Sequence, residues 1–194
     1  MYPESITSEA INELPLLEYS GKIIVVADPE KVEDCFREIN LAEWVGFDTE
    51  TRPNFKKGVV HPISLIQIAI ESKVFIFKIL STGLTDPILD FFESDIIKVG
   101  VALHDDIKGL RREREFEPNN FINLGDITGA IGIHNKGLRK LAGIILGKRI
   151  SKGQQLTNWE NERLTDAQIQ YAALDAWACW RMYDELMKKG YIEK

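Results

Sequence analysis

Trp44-Val45-Gly46-Phe47-Asp48-Thr49-Glu50 sets two carboxylates two residues apart at the end of an apolar run. Successive side chains on a β-strand alternate faces, so Asp48 and Glu50 project side by side from one strand end. Two like charges so placed repel, and each resists losing water. A divalent cation is the partner that would hold them together. The bland alternative for the pair alone is a strand-end turn.

Outward from this strand, the pattern alternates between strands and helices. Residues 22–27 (KIIVVA) read as a strand, and Asp28 with Pro29 then opens a helix carrying Val32, Cys35, Phe36 and Ile39 at helical spacing. Residues 62–70 and 73–79 read as a hairpin turning at Glu71-Ser72, and residues 96–103 and 121–124 as further strands. Helices are expected over 85–94 and 104–115, then from Asp126 onward with a break around 148–159, and over 166–188. Thr165 with Gln168 makes a capping box at the start of the last one. The pattern predicts an α/β fold, a mixed sheet flanked by helices, with 1–21 as a lead-in and 22–194 as one domain.

The chain has 194 residues with 44% hydrophobic and 28% charged content, which suits one globular domain with a real core. A formal net charge of −6 argues against coating nucleic acid by bulk electrostatics, while leaving room for a local basic groove. Cys35 and Cys179 stand in no metal-type spacing and read as reduced thiols. No apolar run reaches the length of a membrane span, and the polar first residues do not fit a secretory signal. The expectation is a cytoplasmic protein with no membrane partner.

Two more acidic stations follow. His104-Asp105-Asp106 comes just after a strand, where open α/β sheets place their sites. Tyr171 and Asp175 share a helical face at i, i+4, beside the small Ala172, Ala173 and Ala176. Singly, these also read as a helix N-terminus with first-turn acids and as a buried hydrogen-bonded pair.

Taken in order, FDTE (47–50), VGVALHDD (99–106) and YAALDA (171–176) resemble the three exonuclease motifs of the DEDD superfamily. The tyrosine four residues before the last aspartate resembles its DEDDy branch, which includes ribonuclease D and the Werner-type exonucleases. SLIQIA (64–69), GLRKL (137–141), Lys152, LTNW (156–159) and Leu164-Thr165 resemble supporting segments of the same family.

The resemblance implies a ribonuclease H-like fold with a five-stranded mixed sheet. It implies a 3′-5′ exonuclease using two Mg²⁺ or Mn²⁺ ions held by Asp48, Glu50, Asp106 and Asp175, with Tyr171 orienting the attacking water; taking the water's proton is the alternative, and an ordinary phenol value of about 10 favours orientation. Asp105 is the alternative to Asp106; motif register and a helical face shared with Leu110 favour Asp106. The substrate would be single-stranded or frayed 3′ ends of DNA or RNA, and the product a nucleoside 5′-monophosphate. Arg52, Lys56, Lys57 and Lys152 are candidates for binding backbone phosphates. Phe55 and Leu65 are candidates for wedging terminal bases, and Trp159 for a packing anchor. The competing class is a catalytically silent nucleic-acid-binding or scaffold module of the same fold, which need not keep a full charged site.

Overall fold

The computed structural model describes residues 1–54, 60–151 and 153–192. Strands β1 (Lys22–Val26), β2 (Trp44–Thr51), β3 (Ile63–Ala69), β4 (Lys73–Lys78), β5 (Ile97–Gly100) and β6 (Phe121–Asn123) form one mixed sheet in the order β1-β4-β3-β2-β5-β6. The pairs β2/β3 and β3/β4 are antiparallel, and the turn between β3 and β4 falls at Glu71-Ser72 as the hairpin reading requires. The pairs β1/β4, β2/β5 and β5/β6 are parallel. The five strands implied by the family resemblance are therefore six. The addition is at an edge, where β1 pairs with β4 through all five of its residues.

Helices cover both faces of the sheet, as β-strands joined by helical crossovers require. In chain order they are α1 (Ser8–Asn12), α2 (Val32–Ile39), α3 (Ile79–Thr82), α4 (Asp86–Glu93), α5 (His104–Glu113), α6 (Leu124–Ala130), α7 (Leu138–Leu146) and α8 (Asp166–Lys188). One face buries Val32, Phe36 and Ile39 of α2 and Phe91 and Phe92 of α4 against Phe47, Ile66, Ile68 and Phe77. The other buries α7 and α8 against Leu65, Ala69 and Val99. Residues 1–21 lie on this second face. Leu17 N–H donates to Arg149 O at 2.8 Å, and His134 N–H donates to Glu4 O at 2.7 Å.

The helix α8 runs for 23 residues from its capping box, with Thr165 accepting from Gln168 N–H and Gln168 answering to the Thr165 N–H. Its small residues let it lie close to the sheet. Ala172, Ala173, Ala176 and Ala178 are all fully buried. Opposite them stands Gly46 of β2, where a β-carbon would come within 1.9 Å of the Ala176 carbonyl oxygen. That contact fixes how near the last acidic station comes to the first. Among the described residues, no helix is long and apolar enough to cross a membrane.

Candidate active site

Asp48 and Glu50 leave the end of β2 on the α8 face, opposite Gln67 and Leu65 of β3 in register. Asp175 comes down from α8. One carboxylate oxygen from each of the three lies within 4.8 Å of the others. Asp175 is 5% exposed, and its Oδ1 is buried with no hydrogen-bond partner. An orphaned carboxylate oxygen beside two more carboxylates is compatible with a divalent cation, which would meet all three at once.

The proton affinities follow from crowding. Burial first, then the charges of Asp175 and Asp106, lift Glu50 to about 9. Burial lifts Asp175 to about 7. Burial, then Asp175, Glu50 and Asp106, hold Asp48 well above the carboxylate range. Without a cation, this cluster resists full ionisation.

Asp106 stands in the first turn of α5, slightly apart from that trio. The Thr49 hydroxyl donates to Asp106 Oδ1 from β2, between the two strand carboxylates. Asp106 is half-buried while Asp105 is exposed. The chain reaches α5 through Ala102, whose positive φ of 59° turns it out of β5. Thr49→Val removes the donor that steadies Asp106 and favours its ionised form. If the site hydrolyses phosphodiesters as the family resemblance implies, the rate should fall about tenfold, with Thr49→Ser restoring most of it. Equal rates for Val and wild type would show that this hydrogen bond does not matter to the site.

Tyr171 lies one turn before Asp175, and each affects the other's proton affinity. Burial, then the Asp175 and Glu50 charges, push the Tyr171 hydroxyl far above its ordinary range. The phenol is therefore a neutral hydrogen-bonding group in this surrounding. Trp159 is 1% exposed with its ring centroid 6.0 Å from that of Tyr171, so it packs behind the tyrosine as an anchor. Gln168 Nε2 ties the tryptophan segment to α8 by donating to Thr157 Oγ1 and Asn158 O.

A cavity of about 520 Å³ opens over these groups. Asp48, Glu50, Tyr171 and Asp175 line it, together with Gly137 to Lys140 at the start of α7. Arg52 is exposed and paired with Glu160 at 3.0 Å, and His61 Nδ1 approaches the same carboxylate at 3.3 Å. Any phosphate contact by Arg52 must compete with that ion pair. Phe55, Lys56, Lys57 and Lys152 lie outside the described residues. Leu65 is 0% exposed in the core, which rules it out as a base wedge.

Three neighbours carried no role in the sequence reading. Thr49 sits between the two strand carboxylates on the other face. Cys179, one turn beyond Asp175, lines the cavity wall. Gln67 is 0% exposed beside Asp48, with neither its Oε1 nor its Nε2 partnered. The i+4 spacing from Asp175 was available as a signal for Cys179; the other two needed the register and the helix placement.

The sequence profile of a family described as 3′-5′ exonuclease matches residues 23–190. A 3′-5′ exonuclease of Arabidopsis thaliana is 32% identical over 163 residues, covering 80% of this chain and 57% of that protein. The mouse bifunctional 3′-5′ exonuclease/ATP-dependent helicase WRN is 30% identical over 190 residues, covering 92% of this chain and 14% of that protein. The chain thus spans less than two thirds of either relative. In fold, it is similar to the Aedes aegypti Nibbler EXO domain, with a TM-score of 0.77 at 21% identity, covering 90% of this chain and 91% of that one.

Proposed function

The chain belongs to the 3′-5′ exonuclease family, and from that premise we propose that it hydrolyses phosphodiester bonds at nucleic-acid 3′ ends with Mg²⁺ or Mn²⁺, releasing nucleoside 5′-monophosphates. The observation that carries this reading is the convergence of Asp48, Glu50 and Asp175 within 4.8 Å, with Tyr171 on the same cavity. The donor set is all oxygen, which suits these hard cations. Such ions, when bound, would stabilise the negative charge that develops on the reacting oxygens.

The chain's own residues divide the remaining work. Asp48, Glu50 and Asp175 would hold the cations, and Asp106, steadied by Thr49, would add its charge. Tyr171 orients the attacking water by hydrogen bonding. Trp159 behind its ring and Asp175 one turn on restrict where the hydroxyl can point. A silent scaffold would gain nothing from keeping crowded acids that disfavour one another's ionisation.

The test uses end-labelled single-stranded and frayed-end DNA and RNA of identical sequence. Stepwise shortening from the 3′ end is expected with Mg²⁺ or Mn²⁺, and EDTA stops it. Tyr171→Phe should slow it about 100-fold through lost orientation of the water. Wild-type protein that shortens neither polymer with either metal would sink the reading. The paired substrates also decide between DNA and RNA, which requires a contact sensitive to the 2′ hydroxyl.

A further inference from the structure

In the cavity that the acids line, the start of α7 breaks two local rules. Gly137 occupies the N-cap in an extended conformation, φ −83° and ψ 144°, and no side chain caps the helix. The first turn then carries Arg139 and Lys140 and no acidic residue. A helix N-terminus has unsatisfied N–H groups and partial positive charge, so cations there are unfavourable by themselves. Departures of this kind are expected where a site must be served.

The cavity gives the departure a purpose. Gly137, Leu138, Arg139 and Lys140 line it. The Lys140 and Leu141 N–H groups turn back to Gly137 O, whereas those of Leu138 and Arg139 come too early in the helix for such a bond. Arg139 Nε donates to Ile150 O at 2.9 Å, which fixes the root of the guanidinium and leaves its fork for a ligand. The same cavity is lined by Asp175, 5% exposed, with Oδ1 unpartnered. A buried carboxyl with one oxygen unpartnered and an uncapped cationic helix start line one cavity. A cation on the first and an oxyanion on the second complete both.

We propose that the N-terminus of α7, together with the Arg139 guanidinium, seats a non-bridging oxygen of a substrate backbone phosphate. The inference rests on the exonuclease reading of the same cavity. The ligand class is a phosphodiester oxyanion near the 3′ end, held by backbone N–H groups and a planar fork. The seat sets substrate position and affinity, and it reads no base.

Gly137 offers an unusual test, because a β-carbon there meets nothing within 4 Å and its φ is ordinary. Gly137→Asp installs an N-cap that strengthens the helix while filling the seat with negative charge. The expected result is KM for an end-labelled single strand raised about tenfold or more, with the melting midpoint unchanged or higher. Arg139→Gln should raise KM by a similar factor. A single methylphosphonate linkage, walked inward from the 3′ end, should raise KM for the wild type at one position and barely affect Arg139→Gln there. KM values within twofold of wild type for both variants would overturn the seat. So would methylphosphonate and Arg139→Gln losses that multiply at every position. If Gly137→Asp lowers the midpoint, the methylphosphonate comparison with Arg139→Gln decides. If the wild type hydrolyses neither DNA nor RNA, the exonuclease reading has failed by itself. The seat is then judged by adenosine 5′-monophosphate in Mg²⁺. It should raise the midpoint of the wild type and not of Gly137→Asp, and no rise in the wild type overturns it.

Discussion

Asp48→Asn is expected to cut hydrolysis by on the order of 10³-fold or more, a loss typical of removing a central charge-stabilising group. The same change should stabilise the metal-free protein above neutral pH. The carboxylates of the cluster hold their protons more tightly in the fold than in the unfolded chain, for which values near 4 apply. A group with a raised folded value contributes its stability below the unfolded value and loses it as pH rises through the folded one. Here the native state binds more protons than the unfolded state across that interval, so stability falls as pH rises. The interval runs from about 4 to about 9, the value to which burial and neighbouring charge lift Glu50. In EDTA, the melting midpoint of the wild type should therefore decline from pH 5 to 9. Asp48→Asn removes one like charge, so it should flatten that decline and melt higher than the wild type at pH 8. With Mn²⁺ at 100 times its dissociation constant, the wild type should gain about 2.7 kcal/mol, or about 5–10 °C at this chain length. Asp48→Asn should lose most of that gain. A midpoint in EDTA that does not change between pH 5 and 9 would contradict the account of the cluster. So would an Asp48→Asn variant that melts lower than the wild type throughout.

Much of this site was legible in the sequence because its chemistry is carried by short local patterns. The strand face shared by Asp48 and Glu50 follows from the period of two, and the structure places both on the α8 side of β2. The capping box marked the start of α8, and Tyr171 and Asp175 share a helical face at i, i+4. The hairpin was readable from two apolar runs and a two-residue polar turn. The sixth strand was also visible as KIIVV; the count of five came from the family resemblance and left out the added edge. What stayed hidden depends on contacts across long sequence separations. Leu65 looked available to a base until the sheet buried it between β2 and β4. Arg52 looked free until the chain brought Glu160 beside it from 108 residues away. Lys98 is fully buried in β5, its ammonium donating to Ser94 O at 2.7 Å and Asn119 O at 3.1 Å. Such a partner set of carbonyls from separate loops has no local signature. The empty cap of α7 was present in the sequence as Gly137-Leu138-Arg139-Lys140. Its meaning required knowing that the acids line the same cavity.

Gly46→Ala tests the step that joins fold to chemistry. A single added methyl at this position would lie 1.9 Å from the Ala176 carbonyl oxygen and 2.8 Å from the Trp180 nitrogen. Both are backbone atoms of α8, so no side-chain rotation relieves the clash, and the helix must shift or tilt. Ala176 follows Asp175 directly, so any displacement at the contact moves a metal-ligand candidate. Overpacking of this kind costs about 3 kcal/mol at the upper end of its ordinary range. Misplacing a catalytic group by about 1 Å costs about 100-fold in rate. The expected variant thus unfolds at lower urea and, under conditions where it remains folded, hydrolyses 3′ ends about 100-fold more slowly. Its stabilisation by Mn²⁺ should shrink in parallel, because the oxygens of Asp48 and Asp175 no longer meet at one point. Gly129→Ala in α6 is the control, since a β-carbon there meets nothing within 4 Å. Alanine in place of that helical glycine should be neutral or stabilise by about 0.5–1 kcal/mol. If Gly46→Ala keeps both the wild-type midpoint and the wild-type rate, the close seat of α8 on β2 does not set the spacing of the acids. If it loses stability but keeps its rate and its response to Mn²⁺ while folded, the contact serves packing alone and something else holds Asp175 in place.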